Sequence, residues 1–301
     1  MSISRQNLSI VIVTFKSEAV IHKCIKSIDK KIKIIVVENS NNLKFKQELE
    51  NKYENVMCTL SSKNLGMGGG NNLGLKLVNT EFALILNPDV ILNESAINEL
   101  IAASQKISSF TVLAPISSNI NYPNYKLDKN EILKNDLKKP FKVKSVDGFA
   151  MLFNKTRLDK IIKNENHNIS QNYFDENFFM YLENDDLCKR IRDQKENIFI
   201  VPNSKVVHLG GGAVDVKYER EIELSRNWHW IWSKFYFNKK HYGYLKAFIT
   251  GLPKFISSLV KSAFFLVFQN KIKYLKYSKR AAGFYNAAKG NSSWYRPRID
   301  F

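Results

Sequence analysis

Apolar runs and polar intervals alternate along the first two-thirds of the chain. LSIVIVTF (8–15) and KIIVVEN (33–39) are short, unbroken and rich in β-branched residues, which predicts strands buried on both faces. Between them Ser17 offers the N-cap of a helix running to about residue 28. A helix over 44–53, a strand over 56–60, a helix beginning near 70–72 and a strand FALILNPDV over 82–90 follow. This order, β-α-β-α-β-α-β, predicts a mostly parallel sheet with helices on both faces. Ligands of such sheets sit at the carboxyl ends of the strands. Further on, the pattern predicts a helix over 94–105 capped by Asn93, a polar Asn/Lys-rich loop over 117–140 and a strand VDGFAMLFN over 146–154. A helix from about Leu182 and a strand, turn and strand over 198–212 complete the body. With no repeat and no low-complexity linker, residues 1–225 read as one domain.

Charge changes the picture at the C-terminal end. Residues 226–301 carry 15 Lys and Arg against the single acid Asp300, a net +14 out of +18 for the 301-residue chain, and hold all four tryptophans. A basic, aromatic segment suits an anionic membrane surface or nucleic acid. Within it, 252–268 is apolar but interrupted by Lys254 and Lys261, which share a helical face with Ser257 and Ser258. Pro253 suits a first-turn position. The segment reads as an amphipathic helix lying in the interface rather than crossing it, with basic residues of 271–280 adding attraction to anionic lipid. A packed helix pair with a solvated basic face fits the same pattern. The three cysteines, Cys24, Cys58 and Cys188, lack metal or disulfide spacing and read as packed, reduced thiols. The opening MSISRQNLSI has no long apolar run, so no signal peptide is expected.

KNLGMGGGNNLGL (63–75) holds five glycines and three asparagines. It is not a dinucleotide fingerprint, because it follows the third strand and Asn71 stands where a third glycine is needed. It is not a P-loop, because Leu75 replaces the lysine. What survives is close backbone approach and a helix N-terminus open to an anion; a tight turn without a ligand is the other reading. Asn87-Pro88-Asp89 ends a buried strand and puts a carboxylate over the expected crevice. His208 ends a later strand before Gly210-Gly211-Gly212. The two could share Mg2+ or Mn2+ with substrate phosphates. Glu183, Asp185 and Asp186 open a helix, where acids favour the helix dipole whatever their task and where one could serve as general base. Asp186 and Arg190 are spaced as an ion pair.

SIVIVTFKSE, VVENSNN, NLGMGGGNNLGL, LILNPDV, VDGFAMLFNKTRLDKI, FDENFFMYLENDDLCKRI and VVHLGG, in this order over about residues 8–212, resemble family 2 glycosyltransferases of the GT-A fold, nearest the rhamnosyltransferase-like bacterial branch. The resemblance implies a Rossmann-like, mostly parallel sheet with a basic helical C-terminal extension. It implies transfer of a sugar, with inversion, from a dTDP- or UDP-linked donor to a glycan acceptor; dTDP-rhamnose is the first donor, and UDP-galactofuranose or another UDP-hexose the next. Thr14 and Phe15 would line the nucleotide pocket, and Glu38 and Asn39 would contact base or ribose. Asn64, Gly66, Gly68, Gly70, Asn71 and Asn72 would pack against the donor. Asn87 and Asp89 stand at the family's DxD position, with Asp89 and His208 as the metal ligands. Asp147, Gly148 and Arg190 fall on the sugar or acceptor side.

Asn184 occupies the family's base position and cannot accept a proton, which moves that role to Glu183, with Asp185 and Asp186 as alternates. The acceptor implied is a glycan on polyprenyl diphosphate, and the location cytoplasmic, peripheral on the inner face of the plasma membrane through 245–280. A nucleotidyltransferase would carry a basic glycine-rich loop after the first strand, which VTFKSE lacks. No nucleic-acid-binding motif occurs, so no nucleic-acid partner is expected.

Overall fold

The computed structural model describes residues 2–107, 109–119, 123–127, 138–165, 172–209 and 214–299. The chain forms two compact units, Met1–Asp175 with Asn184–Asp215, and Glu176–Glu183 with Val216–Phe301. The charge pattern alone puts the division at 225/226; the second unit takes up Glu176–Glu183 and resumes at Val216.

The first unit contains β1 (Leu8–Thr14), α1 (Glu18–Lys26), β2 (Lys33–Glu38), α2 (Leu43–Lys52), β3 (Val56–Leu60), α3 (Gly66–Lys76), β4 (Phe82–Leu86) and β5 (Val90–Ile91). It continues through α4 (Glu94–Lys106), β6 (Val112–Ser117), β7 (Tyr125–Lys126), β8 (Phe141–Lys142), β9 (Ser145–Val146), β10 (Ala150–Asn154) and α5 (Lys155–Asn164). It closes with α6 (Glu183–Asp193), whose first residue belongs to the second unit, and β11 (Ile198–His208). The main sheet runs β3-β2-β1-β4-β10-β6-β11-β5, with β8 also on β11; β7 and β9 form a separate pair. The strands β1 to β4 are mutually parallel, β10 is antiparallel to both neighbours, and β11 is parallel to β6. The expected mostly parallel sheet is therefore present, and antiparallel β10 makes it a mixed one.

Period-2 alternation sorts the buried strand residues. Ile10, Ile12, Val36, Leu84 and Leu86 join the core under α1, α2 and α4, while Val11, Ile35, Ala83 and Ile85 join the core under α3, α5 and α6. Burying both faces explains why these strands read as unbroken apolar runs. Several local expectations change. Ser17 stands at the N-cap of α1, but its hydroxyl bonds the backbone of Phe15 instead. The predicted strand 82–90 breaks at Leu86, because Pro88 has no N–H for a ladder, and resumes as β5, which pairs antiparallel with the end of β11. The segment 198–208 is one strand with an irregularity between Val201 and Lys205. Of the predicted loop 117–140, Ser117 ends β6 and 125–126 form β7; residues 120–122 and 128–137 lie outside the described residues.

The helix predicted near 70–72 begins at Gly66, so most of the glycines are inside it. Gly66 has φ +73°, the left-handed region that glycine enters freely. Gly70 and Gly74 let α3 lie directly on β1: a Cβ there would fall 2.6 Å from Val13 Cγ1 and 2.3 Å from Val11 Cγ1. Glycine inside a helix costs roughly 1 kcal/mol against alanine, and here it permits contact that no side chain would fit.

The second unit comprises a 3-10 turn at Val216–Tyr218, then α7 (Glu219–Tyr242), α8 (Tyr244–Val267) and α9 (Lys271–Ala288). Trp228, Trp232, Phe235, Ala247 and Phe284 form its core. The close approach of α9 to α7 depends on Gly283, where a Cβ would fall 2.3 Å from the Trp228 carbonyl oxygen. In α8 the apolar residues face outward, and of the face expected to be polar only Ser258 turns inward. Ala247, Ser258 and Ser262 are its buried residues, with Ser258 donating to the Lys254 carbonyl 2.7 Å away. Leu245, Ile249, Ile256, Leu259, Val260, Phe264 and Val267 are exposed, Val267 by 76%. Pro253 lies within the helix rather than in its first turn. Starting at Tyr244, α8 is long and apolar enough by length and composition to cross a membrane, with mean hydropathy 1.2.

Candidate active site

Strand register gathers the predicted residues at one edge of the sheet. Thr14 pairs with Glu38 across β1 and β2, so both strands end together. Ala150 pairs with Leu86, which puts the start of antiparallel β10, preceded by Asp147 and Gly148, beside the end of β4. Backbone N–H of Asn87 donates to the Phe149 carbonyl at 2.8 Å. His208 pairs with Val90, which sets it across from Asp89.

Asp89 is buried, 2% exposed. Its Oδ1 lies 3.5 Å from His208 Nε2 and has no hydrogen-bond partner among the described residues. A buried carboxylate oxygen without a donor is costly. Phe149 stacks on the imidazole, with ring centroids 4.4 Å apart and planes inclined by 24°, and so fixes its orientation. Metal–oxygen bonds for Mg2+ are about 2.1 Å, so one divalent ion could touch both donor atoms across this gap. No group of three or more His, Cys, Asp and Glu able to hold a metal exists among the described residues, so a bound ion would draw its remaining ligands from solvent or a ligand. Asn87 Oδ1 is also buried without a partner. Behind this turn the thiol of Cys24 contacts the Asn87 carbonyl at 3.6 Å and is pushed up to about 12, first by burial and then by the Asp89 charge.

Other predicted donor contacts are committed to the fold. Glu38 Oε1 accepts from the Ser40 backbone N–H at 3.0 Å and from its hydroxyl, and Oε2 accepts from Asn42 N–H at 2.7 Å. Its carboxylate thus holds the turn after β2. Asn39 donates to the Gly66 carbonyl at 3.1 Å and accepts from Ser61 at 3.0 Å, tying β2 to the start of α3. Thr14 is fully buried beside the Val37 carbonyl, 3.4 Å away, and Phe15 is half-buried. Asn64 Oδ1 accepts from Gly66 N–H at 3.0 Å, closing the turn into α3, and Gly68 lies inside that helix. Asn72 clamps the Phe174 backbone, accepting from its N–H at 2.8 Å and donating to its carbonyl at 2.9 Å. Asn71 is buried, 3% exposed, and its amide has no partner among the described residues.

The three acids of α6 separate by environment. Asp185 receives both its oxygens' bonds from Lys126, at 2.8 Å each. Asp186 is fully buried, 3.6 Å from Arg190. Arg190 in turn grips Glu165 through two nitrogens and donates to the Tyr173 carbonyl at 2.6 Å. Its guanidinium therefore braces α6 against Glu165 and the Tyr173 backbone. Asn184 donates to the Val146 carbonyl at 2.7 Å, next to Asp147. Loss of surrounding water raises the Asp147 carboxyl above its usual range; Lys126 and His208 oppose the rise and Asp185 adds to it. Asp147 still reaches solvent, which limits the effect. Gly148 approaches Asn184 closely, a Cβ there meeting Asn184 Cβ at 3.4 Å.

Glu183 is buried, 8% exposed. It follows two successive non-glycine residues in the left-handed region, Tyr181 at φ +70° and Leu182 at φ +67°. Such backbone costs of order 1–3 kcal/mol per residue and tends to collect at functional sites. No sequence signal marks this pair, nor the roles of Phe149 and Lys126, because each depends on a partner distant in the chain. Gly210, Gly211 and Gly212 lie outside the described residues.

The model of the family "Glycosyl transferase family 2" matches residues 9–174. A curated relative, the low-salt glycan biosynthesis hexosyltransferase Agl10 of Haloferax volcanii, is 29% identical over 208 residues, which are 64% of this chain and 64% of that protein. The match thus spans just under two-thirds of the relative's length. Among solved structures, the mannosyltransferase PcManGT from Pyrobaculum calidifontis, in complex with GDP-Man and Mn2+, aligns with TM-score 0.54 at 12% identity. It covers 96% of this chain and 87% of that one. S. aureus TarS 1-349 aligns with TM-score 0.50 at 15% identity, covering 96% and 93%. At these identities the structural likenesses establish the fold, a GT-A sheet with helices on both faces. Because the family model matches more than half of the chain and the sheet has that architecture, the protein belongs to glycosyl transferase family 2.

Proposed function

We propose that the protein transfers a hexose from a nucleoside diphosphate donor to an acceptor hydroxyl, inverting the anomeric centre. The observation that carries this is the Asp89–His208 pair: two donor atoms 3.5 Å apart at the carboxyl edge of the sheet, one of them a buried oxygen with no hydrogen-bond partner among the described residues. Asp89 and His208 would hold the divalent ion, Mg2+ or Mn2+; the similar mannosyltransferase was solved with Mn2+. When bound, such an ion neutralises charge on a departing diphosphate. Buried Asn71, and Asn87 through its buried and unpartnered Oδ1, supply amides to orient the donor. Glu183 takes the acceptor proton, since Lys126 neutralises Asp185 and Asp186 braces Arg190. The relative's name supports a hexose; dTDP-rhamnose is the first donor to try, then UDP-galactofuranose and other UDP-hexoses.

Thermal unfolding with dTDP, UDP and GDP, each with and without Mn2+, tests the reading. One nucleoside diphosphate should raise Tm only with metal, and Asp89→Asn should abolish that rise. Stabilisation by none of them, or metal-independent stabilisation, would overturn it.

The acceptor proposed is a glycan on polyprenyl diphosphate, met at the inner face of the plasma membrane. The exposed apolar face of α8 favours this surface. Water selects against a helix with serines inward and Leu, Ile, Val and Phe outward, whereas an interfacial layer selects for it.

A further inference from the structure

The helical unit contains an open cavity of about 280 Å³ lined by Tyr181, Glu223, Arg226, Asn227, Trp230 and Arg280. Arg280 is aimed by a 2.6 Å hydrogen bond from its Nε to Asn227 Oδ1, and Asn227 is itself fixed by donating to the Glu223 carboxylate and carbonyl, both at 2.7 Å. The one acid, Glu223, is matched by Lys276 at 3.2 Å. Arg226 also lines the cavity, and no hydrogen bond holds its guanidinium among the described residues. Against the effect of burial, the charge of Arg226 also lowers the Glu223 carboxyl, so three cations, Arg226, Lys276 and Arg280, face a single acid. Trp230, 41% exposed, stands edge-on to Tyr181 at 5.3 Å between ring centroids, giving the cavity an aromatic wall.

Guanidinium groups bind phosphate through parallel, charge-assisted hydrogen bonds, and an exposed indole offers an apolar face to a sugar or chain. Tyr181 is also the first of the two strained residues that lead into Glu183. We infer that this cavity holds the phosphate or diphosphate of a phosphate-bearing glycan acceptor, with Arg226 and Arg280 as its anion ligands. This rests on the glycosyltransferase reading above and gives its acceptor a binding site: the anchor phosphate is gripped on the helical unit, where Tyr181 lines the cavity two positions before the proposed base. The same chemistry could come from a lipid-borne diphosphate or from a soluble sugar phosphate.

Titration calorimetry on the full chain in EDTA, with no nucleotide present, isolates this cavity from the Asp89–His208 site. The probes are farnesyl diphosphate, inorganic pyrophosphate and farnesol. Both phosphates should bind wild type, and Arg226→Gln and Arg280→Gln should each weaken binding at least tenfold. Farnesyl diphosphate binding more than tenfold tighter than pyrophosphate assigns a lipid-borne source; equal affinities assign a soluble one. Should a variant unfold, phenylglyoxal labelling of wild type replaces it: pyrophosphate should protect Arg226 and Arg280 but leave Arg5 labelled. No phosphate binding by wild type, or variants within twofold of it, overturns the assignment. Failure here leaves metal-dependent nucleotide binding untouched, and failure there leaves these titrations readable, so the two readings fall separately.

Discussion

At the scale of single residues, what a polar side chain can do depends on what already occupies it. Asn71 and Asn72 are neighbours in α3 and equally buried, yet Asn72 spends its amide on both backbone groups of Phe174 while Asn71 has no described partner. Their alanine variants should therefore differ in kind. Asn72→Ala strands a buried N–H and a buried carbonyl, a loss of about 1–3 kcal/mol for each, and should lower Tm with little change in donor KM once folded. Asn71→Ala should keep Tm and raise donor KM roughly 5- to 30-fold, the worth of one or two hydrogen bonds. A Tm loss in both with no KM change would return the stretch to a purely structural turn. The same logic ranks the acids. Glu183→Gln should lower kcat about 100-fold or more, whereas Asp185→Asn, which only releases Lys126, should lower it less than tenfold. The reverse order in single-turnover assays would move the base to Asp185.

At the scale of elements, small residues decide how closely helices approach. Gly283 is the clearest case, since a Cβ there meets backbone rather than a side chain that could turn away. Gly283→Ala should push α9 off α7 and cost about 1–3 kcal/mol, the usual penalty for overpacking, read as a lower Tm; an unchanged Tm would mean the interface is looser than the 2.3 Å approach implies. The parallel strands and most helices were legible beforehand, because apolar runs such as SIVIV report burial on both faces directly. The strand-end positions of Asp89 and His208 were legible for the same reason, since each follows an apolar run. What the pattern could not carry was pairing across distance. The two residues of β5 are too short to register as a strand, and only their bond to β11 brings His208 opposite Asp89. The bonds of Glu38 and Asn39 to Ser40, Asn42, Ser61 and Gly66 were not legible either, since they depend on the turn geometry. The glycine-rich stretch was legible as a close approach, but the surface approached is β1.

At the scale of the whole molecule, charge and apolar exposure coincide in the same C-terminal residues. The net +14 of residues 226–301 would draw that segment to an anionic surface at about 1 kcal/mol per basic residue that reaches it. The outward leucines, isoleucines and phenylalanines of α8 then add burial at roughly 25 cal/mol per Å² of apolar area removed from water. Neither contribution suffices alone: Lys254 and Lys261 keep α8 from sitting comfortably across a bilayer, and charge alone would be screened at moderate salt. The expected outcome is flotation of the full chain with vesicles containing anionic lipid, with little binding to neutral vesicles and release by high salt. Replacing Val260 and Phe264 with Ser should weaken flotation as strongly as replacing Lys254 and Lys261 with Gln, because the two contributions act together. Resistance to both salt and alkaline carbonate would show that α8 crosses the bilayer rather than lying in its surface, a role its length and composition allow. Absence of binding to anionic vesicles would remove the membrane from the proposal and leave the apolar face of α8 to a protein partner.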